Sequence, residues 1–474
     1  MINKKEAIYL RNNIQTIKIN EELSVEINIE SNKYNIPIDK LFGMATRNNT
    51  KRRFLFVSKV LGKHFPVNPK RSLLIGYMLS IEYLKKVYNI KYQNERFLSE
   101  SISNDDNINE AYKYSLNNKL KLPEKTVFLG FAETATALGH SVFNSFIENA
   151  EYIHTTRENI IENKFTIKFQ EGHSHAIDHR VYADESDYFK KEMPIILVDD
   201  EITTGNTNIN IIRQIHKKFP KSKYVLMSIL DWRSKNDIEK FKNLEKELGV
   251  SIISVSLIKG SINVYDRMKS KIIDINNDLR NYTEAIEINK MYINSEAKKL
   301  TLSSKSKNGK INNYPYLKHT GRFGISFSEN NEISKVLIEI GELLKDKRKG
   351  GPTLCLGTGE FMYIPMIISA NMGESIYYYS TTRSPIIPDT NCEKYAIKST
   401  YLFDGIEDIQ DKNYLYNLTM NRYDEAFIFF EREIDNLVYK QLISIFKNTK
   451  IKTLNIVVFS KCSVGGNFID VKSF

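Results

Sequence analysis

Apolar residues along the chain change their spacing at a few well-marked places. Ser24 to Ile29 alternate weakly, which predicts an edge strand or hairpin, and Phe54 to Val57 form a short β-prone run. Between Arg71 and Lys86, Leu73, Leu74, Met78, Leu79, Tyr83 and Leu84 recur at helical spacing. Residues 91–120 are polar and turn-rich, which suggests a surface excursion. From Thr126 the pattern becomes regular. Val127–Gly130, Tyr152–Thr156, Pro194–Asp199, Tyr224–Leu230 and Ile252–Leu257 read as strands. Between several of them, Glu133–Phe146, Asn206–Phe219 and Asp237–Leu248 read as helices, and 157–181 as a long loop. Strands alternating with helices imply right-handed crossovers and a mainly parallel sheet, and nearly continuous apolar strands imply that both of its faces are covered.

Residues 261–313 are polar and read as helical to disordered, ending in SSKSKNGKINN over 303–313. A second α/β pattern follows. Thr353–Gly357, Ser375–Ser380, Ala426–Phe430 and Leu454–Phe459 read as strands, and Phe361–Ala370 as a helix. The expected division is therefore 1–260, a connector over 261–313, and 314–474. The length of 474 residues agrees, at ~150 residues per domain.

Composition narrows the class. Hydrophobic residues make up 41% and charged residues 26%, as in folded globular chains. No apolar run approaches the ~18 residues of a membrane span, and no leader-like segment opens the chain, so a cytoplasmic protein is expected. Three scattered cysteines (Cys355, Cys392, Cys462) exclude a disulfide framework. The net charge of +11 suits a polyanionic small molecule. Without a zinc finger, aromatic stripe or basic heptad region, nucleic acid is an unlikely partner.

The segment with chemistry in it is Ile195–Thr207, IILVDDEITTGNT. Four apolar residues lead to Asp199 and Asp200 at a strand end, and a Thr-Thr-Gly turn then enters a helix. Strand ends of this kind are where open α/β sheets bind ligands, and a helix N-terminus offers free amides and a positive dipole to a phosphate. Thr203, Thr204, Gly205, Asn206 and Thr207 can hold that phosphate. The carboxylates suit sugar hydroxyls or a cation. A phosphate beside a vicinal diol describes a ribose 5-phosphate.

This run resembles the PRPP-binding motif of type I phosphoribosyltransferases. Further segments widen the likeness: Arg47-Asn48 with 51–64 (KRRFLFVSKVLGKH), Gly130–Ala135 (GFAETA), His173–Ala176 (HSHA), Asp231–Arg233 (DWR), Gly321–Gly324 (GRFG), 356–361 (LGTGEF) and Thr382–Pro385 (TRSP). Together they resemble the phosphoribosyltransferase family of tellurite-resistance gene clusters, in which a TRSP domain follows. The resemblance implies a type I phosphoribosyltransferase-like parallel-sheet domain plus a second α/β domain. It further implies Mg2+-dependent transfer from PRPP to a base-like or small-molecule acceptor, with release of pyrophosphate. Asp199 and Asp200 would meet the ribose hydroxyls and the metal, and Thr203–Thr207 the 5-phosphate. Gly130, Phe131, Ala132, Glu133 and Thr134 would form the pyrophosphate loop. A homodimer is compatible with this reading. So are two other functions: a PRPP-binding regulator without turnover, and an enzyme cleaving a nucleotide-like glycosidic bond.

Several points stay open in the sequence. Purine-salvage relatives place an acid where Thr203 stands, so either the acceptor needs no deprotonation, or Glu133, Glu201 or the loop histidines act as base. The segment around Glu171, His173 and His175 resembles in position the loop that closes over PRPP; those residues would touch substrate, and with His179 they alternatively suit a metal. Arg157 can meet pyrophosphate as a bidentate fork. The C-terminal domain is expected to be a diverged copy of the first, lacking the phosphate loop and using Gly357–Glu360 and Arg383 around a pocket.

Overall fold

The computed structural model describes residues 14–49, 52–170, 178–183, 188–190, 192–267, 285–295, 297–392, 394–419, 423–460 and 467–470. In the first half a hairpin of β1 (Ile14–Lys18) and β2 (Leu23–Asn32) precedes a second antiparallel pair, β3 (Phe42–Arg47) and β4 (Phe54–Ser58). Helix α1 (Pro69–Tyr88) starts with Pro69 behind an Asn68 cap, so the missing proline N–H costs nothing there. The polar stretch after it is not an open excursion. It folds into α2 (Glu95–Ser103) and α3 (Ile108–Asn117), whose few apolar residues are buried against α1.

The crossover units then run β5 (Thr126–Gly130), α4 (Thr134–Phe143), β6 (Ala150–His154), a hairpin of β7 (Ile167–Gln170) and β8 (Asp178–Val181), β9 (Ile195–Ile202), α5 (Asn206–Lys218), β10 (Lys223–Asp231), α6 (Lys235–Leu248) and β11 (Ser251–Asp266). Strands β6-β5-β9-β10-β11 are all parallel in that spatial order. Their core residues are sealed from solvent: Leu129, Leu197, Val198 and Leu226 have 0% exposure. The order in which the strands are laid down reverses between β5 and β9, which opens a crevice at their carboxyl ends.

The second half contains β12 (Glu287–Asn294), β13 (Ile325–Ser326), α7 (Phe327–Lys345), β14 (Thr353–Gly357), α8 (Tyr363–Ala370), β15 (Ile376–Ser380), β16 (Ile386–Ile387), β17 (Glu425–Phe430), α9 (Asn436–Lys447), β18 (Thr453–Val458) and β19 (Asn467–Asp470). Its sheet, β15-β14-β17-β18-β12-β19, is parallel throughout. Part of the stretch expected as a connector is thus an interior strand: β12 lies between β18 and β19, where Met291 and Ile293 are buried. The two halves also exchange sheet partners. Strand β13 extends the first sheet beyond β6, and β16 pairs with β3. No helix among the described residues is long and apolar enough to cross a membrane.

Candidate active site

The β5/β9 crevice holds a cavity of 230 Å³. Lined by Phe131–Thr134, Arg157, Asp199–Asn208 and Thr382–Ser384, it brings together most of the residues singled out in the sequence. Gly130 lies one residue below it, at the end of β5, where a side chain would meet Ala135 O at 2.5 Å. Glu171, His173 and His175 lie outside the described residues.

Asp199 and Asp200 end the apolar part of β9. The Asp199 carboxylate accepts the Asp200 N–H at 2.9 Å, and no ion pair to either acid occurs among the described residues. Burial, then the neighbouring carboxylate, pushes Asp199 well above the usual range, and burial raises Asp200. Such a pair gains from a cation or from hydroxyl donors, so these residues fit Mg2+ and a sugar diol, although no group of three or more ligating side chains occurs among the described residues. Glu201 is raised by burial too, despite its ion pair with Arg52, whose guanidinium also lies 4.6 Å above the Phe54 ring.

Downstream, Gly205 at φ 72° turns the chain into α5. That helix has no N-cap side chain, in contrast to α6 and α7 with their serine capping boxes, so the amides after Asn206, whose own N–H bonds Thr204 Oγ1 at 3.4 Å, are left for a ligand. Helix α4, entered from the other strand of the crevice, is likewise uncapped. Two amides of its approach loop are already used: Phe131 N–H bonds Val198 O at 3.1 Å, and Ala132 N–H bonds Thr155 Oγ1 at 2.9 Å. The loop therefore offers a ligand the amides after Ala132.

Glu133 is the centre of the charge at this end. Its carboxylate meets Lys63 Nζ at 3.0 Å, Arg157 Nη1 at 3.2 Å and Arg383 Nε at 3.6 Å. Burial opposes its ionisation, but the three cations outweigh it and hold the carboxyl below the usual range. Next to Lys63, His64 is kept neutral, its pKa pushed down to about 3 by burial, and its Nε2 has no hydrogen-bond partner among the described residues. Trp232 takes no part; it stacks on Phe56.

Lys63, His64, Arg47, Arg52, Asn208, Thr382 and Ser384 also line the cavity. For Arg47, Arg52, Lys63 and His64 the available signal was the basic sequence around the Phe54 run. For Thr382 and Ser384 it was the TRSP string itself.

Residues 41–261 match the model of a family described as phosphoribosyl transferase, and residues 319–446 match that of the TRSP domain C-terminal to it. Residues 41–261 are a phosphoribosyltransferase domain. Among solved structures, the adenine phosphoribosyltransferase of Trypanosoma brucei in complex with AMP, pyrophosphate and ribose 5-phosphate is 12% identical, over 52% of this chain and 87% of its own, at a TM-score of 0.29. The adenine enzyme of Rhodothermus marinus is 12% identical over 54% and 99%, at 0.24. That of Giardia lamblia with 9-deazaadenine is 15% identical over 34% and 83%, at 0.21. Scores this low add nothing to the family match. No curated protein matches the chain. The cavity lies where the strand order of the phosphoribosyltransferase half's sheet switches, with the TRSP half supplying one wall.

Proposed function

We propose that the cavity binds PRPP with Mg2+ and transfers its ribose 5-phosphate to a small-molecule acceptor, releasing pyrophosphate. The observation that supports this most is that one crevice holds three features: an acidic pair with no ion-pair partner among the described residues, a helix start without an N-cap side chain behind a Thr-Thr-Gly turn, and a basic cluster around Glu133.

In this reading the α5 amides and the Thr203, Thr204 and Thr207 hydroxyls take the 5-phosphate. Asp199 and Asp200 orient the ribose so that the acceptor approaches C1 opposite the leaving group. Phe131–Thr134, Arg157 and Arg383 receive the developing pyrophosphate charge. Asp199 and Asp200 are also the groups that would hold Mg2+, which when bound neutralises part of that charge. Glu133, held ionised by three cations, is a poor proton acceptor and serves to position them. Glu201 is the better base: burial raises its proton affinity, and its Oε2 has no hydrogen-bond partner.

Titration calorimetry with PRPP and Mg2+ tests the assignment. Replacing Asp199 and Asp200 together by Asn removes charge-assisted bonds of about 1.5–3 kcal/mol each, so affinity should fall by about two orders of magnitude or more. A folded double variant that binds PRPP like the parent would refute the reading.

A further inference from the structure

The two halves of the chain repeat each other in more than outline. Spatial order β6-β5-β9-β10 in the first sheet equals β15-β14-β17-β18 in the second, all parallel. Gly130 and Gly357 end the corresponding strands. Their carbonyls accept Thr155 N–H (2.9 Å) and Thr381 N–H (3.1 Å), and the hydroxyls of these threonines accept Ala132 N–H and Gly359 N–H, both at 2.9 Å. Glu133 and Glu360 come next, and each is paired with a cation on a segment laid against the other half's edge strand. Lys63 follows Gly62, which packs on Tyr378, and reaches Glu133 at 3.0 Å. Arg322 follows Gly321, which packs on Tyr152, and approaches Glu360 at 3.5 Å.

The two glutamates then cross over. Glu133 accepts from Thr382 Oγ1 (3.2 Å) and Arg383 N–H (3.4 Å) of the TRSP half. Glu360 accepts from Thr156 Oγ1 (2.5 Å) and Arg157 N–H (2.8 Å) of the first half. This reciprocal pattern is that of a two-fold dimer built within one chain.

The β5/β9 crevice is open, whereas its counterpart between β14 and β17 is nearly filled, and a separate cavity of 850 Å³ begins beyond it at Glu433–Asn436. In the second half Glu431 is bonded to Arg322 at 2.8 Å and Arg432 to Glu158 at 2.6 Å, leaving 30 Å³. Asp435 caps α9 itself, accepting Leu437 N–H at 2.8 Å, so the place of the phosphate turn is taken by a carboxylate.

We propose that the TRSP domain is a closed second copy of the catalytic fold and that it completes the open copy's diphosphate subsite. Arg383 is the diphosphate-binding group it lends, and Glu360 is the positioning residue that fixes Arg157. The proposal rests on the PRPP reading of the cavity. Glu407 at 3.0 Å and Asp411 at 3.3 Å hold the two terminal nitrogens of Arg383 from behind. Its buried Nε, which makes no hydrogen bond, is left beside Glu133 at the cavity end where Lys63 and Arg157 converge. Three cations converge there on the one carboxylate of Glu133, a fork of N–H donors suited to a diphosphate.

The test compares inorganic pyrophosphate, ribose 5-phosphate and PRPP as separate ligands of the full chain, in calorimetry with Mg2+. Arg383→Ala should weaken pyrophosphate and PRPP by about 10- to 100-fold and leave ribose 5-phosphate within about twofold. Arg383→Lys, which keeps the charge and guards against a folding defect in the alanine variant, should lose less in the same selective way. Glu360→Gln should also weaken pyrophosphate while sparing ribose 5-phosphate. Unchanged pyrophosphate affinity in folded Arg383 variants would overturn the proposal while ribose 5-phosphate binding upholds the reading of the cavity. Equal loss of both ligands in Glu360→Gln would make that residue structural and overturn its assigned part. Parent protein that binds neither PRPP nor ribose 5-phosphate would overturn both.

Discussion

Asp199, the acid proposed to meet the ribose, is held in the fold at the expense of stability. Its carboxyl is buried beside Asp200 with its proton affinity raised, so the native state binds more protons than the unfolded chain between the ordinary Asp pKa of about 3.9 and the raised folded value. The stability this group contributes is full below the unfolded pKa and is lost as pH rises through the folded one. Asp199→Asn should therefore raise the melting temperature of the ligand-free protein near neutral pH, by about 1 °C for each kcal/mol regained in a chain of this length. The gain should vanish below about pH 4, where the acid is protonated in both states. Thermal melts of parent and variant across that range check the sign. A variant that melts lower at pH 7 would mean that Asp199 already has a favourable partner.

At the scale of elements, the turn into α5 depends on one backbone conformation. Gly205 has φ 72°, and a Cβ there would lie 2.5 Å from the Phe241 ring of α6. Gly205→Ala must strain the left-handed turn and displace Phe241 together, at a cost of about 1–3 kcal/mol. Since the same turn presents the uncapped amides, ribose 5-phosphate affinity should fall alongside the melting temperature. Pyrophosphate affinity, which depends on the α4 side of the cavity, should change less. The strong elements were legible because their patterns are local: an unbroken apolar strand ending in acid and a Thr-Thr-Gly turn show in a dozen residues. Helices α2 and α3 were not, since Asn, Ser and Asp dominate 99–109 and the few buried apolar residues gain their meaning only from the α1 surface beneath them. Strand β12 was missed for a related reason. Five of its eight residues remain at least partly exposed among polar neighbours, and it becomes a strand by docking between β18 and β19.

For the whole molecule, buried histidines tie stability to pH. His140, on α4, stacks on Tyr363 of the second half at 3.6 Å and meets Asn330 at 2.8 Å. Burial pushes it, His64 and His154 down to about 3. Between their unfolded pKa of about 6.5 and about 3 the unfolded chain binds more protons, so stability falls as pH falls through that window. Each histidine contributes a slope of roughly 1.4 kcal/mol per pH unit below about 6.5. The melting temperature should decline steeply from pH 6.5 to 5, and His140→Asn should make that decline shallower. A parent melting curve flat over this range would show that the histidines titrate normally.

Local sequence encodes what a short window can hold: most strands and helices, the two α/β regions, the acidic strand end and the Thr-Thr-Gly turn behind it. Apolar periodicity and turn chemistry act between neighbours, and neighbours are visible in a string. The tertiary structure alone decided that Glu133 gathers Lys63, Arg157 and Arg383, because those groups come from four separate segments and Thr382 lies 249 residues from its partner. It also decided which crevice stays open. Acidic strand ends occur in both halves, but Arg322, Glu158 and Arg432 close one of them, and only the packing of one half on the other brings those charges together.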